Sequence, residues 1–136
     1  MERLTQRLAT ARDALSTLDE LVHKPERSKV ERDAAIQRFE YTFEAVWKAV
    51  QLYLREVEGL DLGFPKGVAR ASLEVGILDE SETRLALVMT DDRNLTVHTY
   101  NEELAEEIAG RLSQHAALLR QWVERVTARQ ANPTRS

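Results

Sequence analysis

A chain of 136 residues, 43% hydrophobic and 31% charged, is sized for one folded domain around one core and is not disordered throughout. Five glycines and three prolines leave little material for turns and favour a few long helices, and the lack of cysteine excludes disulfides and thiolate metal sites. A net charge of −4 argues against broad, nonspecific nucleic-acid binding, which needs a basic face; it leaves room for a focused positive pocket.

Leu4, Leu8, Ala11, Leu15, Leu18 and Val22 recur every three or four positions and predict a first helix with one apolar stripe, Arg7, Arg12 and Asp13 lying opposite. Pro25 ends it, and His23 and Lys24 suit the negative pole of its dipole. Ser28-Lys29-Val30-Glu31 reads as a capping box opening a second helix over Lys29 to Glu58. Its stripe of Ile36, Phe39, Phe43, Val46, Val50, Tyr53 and Val57 predicts the spine of the core. Glu40, Glu44 and Lys48, four apart, read as a solvated ladder, and Gly59 fits a C-terminal cap.

Pro65 suits the first turn of a third helix that ends near Gly76. Asp79-Glu80-Ser81-Glu82 is a second capping box, predicting a fourth helix to about Arg93 that buries Leu85, Val88 and Met89. A fifth helix, Tyr100 to Ala128, carries Leu104, Ile108, Leu112, Leu119, Trp122 and Val126, with His115 in the stripe as an interior or edge histidine. The expected architecture is all-α: a five-helix antiparallel up-and-down bundle with a four-helix core, one domain over residues 1–129 and a disordered tail over 130–136. No apolar run approaches a membrane span and the amphipathic start lacks a signal-peptide core, so a cytoplasmic location is expected.

The helical rhythm breaks once, at Asp91-Asp92-Arg93-Asn94-Leu95-Thr96-Val97-His98-Thr99-Tyr100-Asn101-Glu102. Arg93 and His98 would lie about 140° apart on a straight helix of 3.6 residues per turn, a poor arrangement for one pocket. Thr99 to Glu102 reads as a capping box with Thr99 as N-cap, and a turn over Asn94 to His98 then brings Arg93 beside His98. An unbroken helix instead aligns Asn94 with His98 and Arg93 with Tyr100. Either geometry gathers groups suited to phosphate. Arginine presents a planar fork of donors, histidine titrates near neutral pH, and a fresh helix start attracts anions. The competing reading is structural: Arg93 paired with Asp91 or Asp92, and His98 capping a helix. The histidines at 23, 98 and 115 lack a metal-binding spacing, and no serine elbow or glycine-rich phosphate loop is present, so neither metal nor cofactor is expected.

The stretch DDRNLTVHTYNEELAEEI, with RFEYTFEAVWKAVQLYL (Arg38 to Leu54) and FPKGVARASLEVGIL (Phe64 to Leu78), resembles the HEPN superfamily. It resembles more closely the nucleotidyltransferase substrate-binding proteins, a group that includes the HepT toxins. The resemblance covers roughly Arg32 to Leu112. It implies a HEPN-like helical fold and metal-independent RNA cleavage by an Arg-x4-His-x-Tyr motif. Arg93 and His98 are then catalytic. Asn94, Thr96 and Lys66 contact phosphate or nucleotide, and Glu44 and Asp92 support the site. It also implies a homodimer whose two sites face one another, and a partner, a minimal nucleotidyltransferase antitoxin, that transfers AMP to Tyr100. The alternative it implies is a non-catalytic subunit that binds nucleotide or substrate for such a transferase. The chain departs from the family where a tryptophan is usual, here Thr83-Arg84-Leu85, and at Val97, where serine commonly precedes the histidine.

Overall fold

The computed structural model describes residues 2–131. They form α1 (Glu2–Val22), α2 (Lys29–Glu58), α3 (Pro65–Glu74), α4 (Glu80–Leu95) and α5 (Glu102–Ala131), with a 3-10 turn, Thr96–His98, between α4 and α5. The expected all-α, five-helix bundle is the observed one. No helix among the described residues is long and apolar enough to cross a membrane.

Both capping boxes at Ser28 and Asp79 form as the sequence dictates. The Ser28 hydroxyl accepts from the Glu31 amide at 3.1 Å while the Glu31 carboxylate accepts from the Ser28 amide at 2.9 Å. Asp79 and Glu82 do the same for α4 at 2.8 and 2.9 Å. Gly59 closes α2 with φ +71°, a left-handed conformation that glycine adopts without a Cβ penalty.

The stripes of α1, α2 and α5 meet in one core containing Leu4, Leu8, Leu15 and Leu18, Phe39, Phe43 and Val50, and Ile108, Leu112, Leu119 and Trp122. α2 and α5 form the central pair. α1 lies along both, and the α3–α4 hairpin packs against the same pair. Ser72 links α3 to α5: its hydroxyl donates to the Val68 carbonyl at 2.8 Å and accepts from the Trp122 indole at 3.1 Å. α5 runs on through Gln130 and Ala131, where a frayed tail is expected, and the rest of that tail lies outside the described residues.

α4 is the helix whose inner face differs from the expected one. Met89 is buried as expected, but Val88 is exposed, and the remaining buried positions are Thr83, Ala86, Thr90 and Asp92. A polar contact therefore holds α4 to α5. Arg111 of α5 grips the Asp92 carboxylate with two bonds, Nε to Oδ2 at 2.7 Å and Nη2 to Oδ1 at 2.8 Å. His115, fully buried and stacked on Phe39, adds a bond from Nε2 to Oδ2 at 2.7 Å. With the carboxylate accepting, the imidazole carries its proton on Nε2, and Nδ1 has no partner among the described residues. Burial pushes the His115 pKa down, so the ring is neutral. Burial also pushes the Asp92 carboxyl up, but the bonds from Arg111 and His115 together outweigh it and hold it below the usual carboxylate value.

Both shifts run the same way with pH. A group whose folded pKa is depressed contributes fully above its ordinary value, and the contribution is lost as pH falls through the depressed one. Stability in denaturant should therefore decline below pH 6.5, the ordinary histidine value, and again below 3.8, the ordinary aspartate value. His115→Gln retains a donor to Asp92 and should flatten the first decline; parallel pH profiles for variant and wild type would contradict this. Asp92→Ala should cost about 3 kcal/mol, since it strands a buried imidazole N–H and unpairs Arg111.

Candidate functional site

Three consecutive residues of α4 leave the helix in three directions, because each step along a helix turns the side chain by about 100°. Asp91 pairs with Lys66 of α3 at 2.7 Å. Asp92 points inward to Arg111 and His115 of α5. Arg93 reaches Glu44 of α2, Nη2 to Oε1 at 2.8 Å. The competing reading, Arg93 paired with Asp91 or Asp92, does not hold, because both carboxylates have other cations. Asp92 is buried and ties α4 to α5 through Arg111 and His115. Lys66 is held by Asp91 on the exposed side of the α3–α4 hairpin.

Arg93 remains 33% exposed, and its buried Nε has no partner among the described residues. It sits in the last turn of α4, where the helix dipole favours a cation. Glu44 also faces Lys48 one turn along α2, at 3.6 Å. One carboxylate thus lies between two cations, a place that a phosphate oxygen could take over.

The chain then breaks from α-helix. Thr96, only 5% exposed, donates its hydroxyl to the Arg93 carbonyl at 2.7 Å, and Thr99 donates to the Thr96 carbonyl at 2.9 Å. These bonds close the 3-10 turn, and here the Thr96 hydroxyl proton is engaged by the Arg93 carbonyl. Thr99 is not the N-cap of α5. Asn101 is, its side-chain oxygen accepting from the Leu104 amide at 3.1 Å. Glu102 does not reach back. Arg32 of α2, 4% exposed, captures it with bonds of 2.9 and 3.1 Å and takes Glu106 as well at 2.7 Å. That contact pushes the Glu102 carboxyl down to about 2. A buried arginine on a distant helix outcompetes a local cap, and α5 starts at Glu102 rather than Tyr100.

The turn presents its polar residues to solvent. His98 is exposed and meets Tyr100 edge to face, ring centroids 6.0 Å apart. Tyr100 is 83% exposed, so it is not packed at the helix start. Asn94 is exposed and makes no side-chain hydrogen bond among the described residues. No hydrogen bond joins the Arg93 guanidinium to the His98 imidazole within one chain; Arg93 turns to α2, His98 to Tyr100. Among the described residues no cluster of three or more histidines, aspartates and glutamates is placed to hold a metal ion.

Two features escape sequence reasoning. The Asp92–Arg111–His115 contact was signalled only by the four-residue spacing of Arg111 and His115, which puts them on one face of α5. The second is a cationic groove between α1 and α2. Arg3, Gln6, Arg7, Thr10, Ala45 and Lys48 line a cavity of about 460 Å³ with Glu44 on its wall.

Comparison with known proteins agrees with this architecture. The family model described as nucleotidyltransferase substrate binding protein like matches residues 6–128. A crystal structure of a protein from Thermus thermophilus is 60% identical, with a TM-score of 0.84, covering 85% of this chain and 98% of that one. No curated protein matches. With the family match spanning α1 through most of α5, the chain belongs to the nucleotidyltransferase substrate-binding protein family.

Proposed function

We propose that the chain is a HepT-like toxin: a metal-independent RNA endonuclease in which Arg93 and His98 act on one phosphodiester. The observation that carries this reading is the state of Arg93, partly exposed, with an unpartnered Nε and a single carboxylate, Glu44, standing where a phosphate would bind. His98 takes the proton of the ribose 2′-hydroxyl, and the 2′-oxygen attacks phosphorus. Arg93 stabilises the negative charge that builds on the phosphoryl oxygens. The bond to the 5′-oxygen breaks, that oxygen takes up a proton, and a 2′,3′-cyclic phosphate and a 5′-hydroxyl result. Asn94 is exposed beside Arg93, and Lys66, partly exposed, is paired with Asp91 two residues before it; both are available to a longer substrate.

Because Arg93 is engaged with Glu44 and His98 with Tyr100, and no hydrogen bond joins the two within one chain, the site is completed by a second copy in a homodimer. Val88, Leu95 and Val97, exposed along α4 and the 3-10 turn, supply apolar area for that contact. The same separation favours, as a second reading, a subunit that binds nucleotide for a transferase without cutting RNA.

Tyr100 is the point of control. Its phenol oxygen attacks the α-phosphate of ATP on a partner minimal nucleotidyltransferase, pyrophosphate leaves, and the phenolic proton is released. The resulting AMP-tyrosine carries a bulky anion beside His98, blocking substrate and offsetting the charge of Arg93. Both RNA and an ATP-using partner fit a cytoplasmic setting.

Purified protein should cut single-stranded RNA without added metal, and His98→Ala and Arg93→Ala should each slow cleavage by on the order of 10²–10⁴-fold with thermal stability retained. Unchanged rates would sink the catalytic assignment, and nucleotide binding without cleavage would favour the second reading. Co-expression with the partner transferase and ATP should raise the intact mass in AMP units that map to Tyr100. Tyr100→Phe should abolish the gain; a gain that persists or maps elsewhere removes Tyr100 from regulation.

A further inference from the structure

The groove between α1 and α2 concentrates positive charge in a chain whose total is −4. Arg3 and Arg7 stand one turn apart on α1. Neither has an ion-pair partner among the described residues, whereas most other described arginines do. Across the groove stand Lys48 and, two turns further along α2, Arg55. A second, smaller cavity continues the first, lined by Arg3, Arg7, Lys48, Gln51 and Arg55, with Asp61 its one acid. Ala45 is the one apolar residue lining the first cavity and Leu52 the one lining the second, although carbon atoms, many on the stems of charged side chains, supply the larger part of the first cavity's wall.

We propose that this groove is a track for the sugar–phosphate backbone of single-stranded RNA, delivering the strand to Arg93. The inference rests on the reading of the chain as a ribonuclease. Three features select the occupant. The cations extend over about 10 Å of α2, by 1.5 Å per residue, which is longer than one phosphate and suits a repeating anion. Ala45 and Leu52 are the only apolar residues that line the two cavities, so the groove lacks the row of hydrophobic anchors a partner helix would need. Glu44, on the groove wall, is also the carboxylate that holds Arg93 and faces Lys48. A phosphate moving along the groove therefore arrives between Lys48 and Arg93, where it competes with Glu44 for both. The acidic remainder of the surface sharpens this path by repelling the strand elsewhere.

The test is the binding of a short, labelled single-stranded RNA to the full chain, followed by fluorescence anisotropy across a salt series. His98→Ala is the background, so that the RNA stays intact. Adding Arg3→Ala and Arg7→Ala together should weaken binding about tenfold. It should also reduce the slope of log affinity against log salt by about 1.4, since each single-strand phosphate contact contributes about 0.7. Arg70→Ala with Arg84→Ala removes the same charge from exposed positions on α3 and α4 and should leave binding within about twofold. Wild-type-like affinity in the Arg3/Arg7 variant overturns the groove alone, as does an equal loss in the control pair. Loss of binding in the Arg3/Arg7 variant when the wild-type chain cuts no RNA keeps the groove and removes the nuclease. A chain that binds no RNA overturns both.

Discussion

The junction of α4 depends on where one carboxylate goes. Asp92 turns inward to two partners on α5, and because it does, Arg93 has no local anion and must look across to α2. Its other neighbour, Asp91, belongs to Lys66 of α3. Three adjacent side chains thus fasten one helix to three others, and the direction of Arg93 is set by the two that precede it. Buried charge pairs add little net stability when compared with apolar packing, yet breaking one is costly. Here the pair fixes orientation: it sets the rotation of α4 and so aims the guanidinium.

This arrangement gives the candidate site its character. Arg93 is restrained but not saturated, with a carboxylate facing one edge of its fork and a buried Nε left unpaired among the described residues. Glu44 is shared with Lys48 and lines the cationic groove, and in the proposed reading it stands in for a bound anion. Exchange of Glu44 for a phosphate would conserve the local charge balance. It would also explain how an acidic chain can favour a polyanion at one place only. His98 and Tyr100 stand on the exposed turn that follows Arg93.

Much of the scaffold could be read from residue order. The stripes of α1, α2 and α5 and the reciprocal caps at Ser28 and Asp79 are local patterns, and local patterns survive folding when nothing distant competes. The cap expected at Thr99 failed for the complementary reason. Glu102 had a stronger partner in Arg32, seventy positions away and buried, which no local motif reveals. For Asp92 and Thr96, neighbours in sequence of Arg93 and His98, residue order does not reveal the direction of the side chain. The helical turn angle sends the first into the interior, and the 3-10 turn commits the second to backbone bonding. The groove was hidden because its cations come from two helices whose packing brings them together.

In the proposed reaction the Arg93 guanidinium and the His98 imidazole serve one phosphate. Nitrogen-15 NMR of the Arg93 Nε and the His98 ring can follow both groups during titration with a 2′-deoxy oligonucleotide, which binds but lacks the attacking hydroxyl. The expected result is that both signals move together with a single dissociation constant, the Arg93 signal moving as Glu44 gives way. Movement of His98 with Arg93 still held by Glu44, or separate affinities for the two groups, would contradict it.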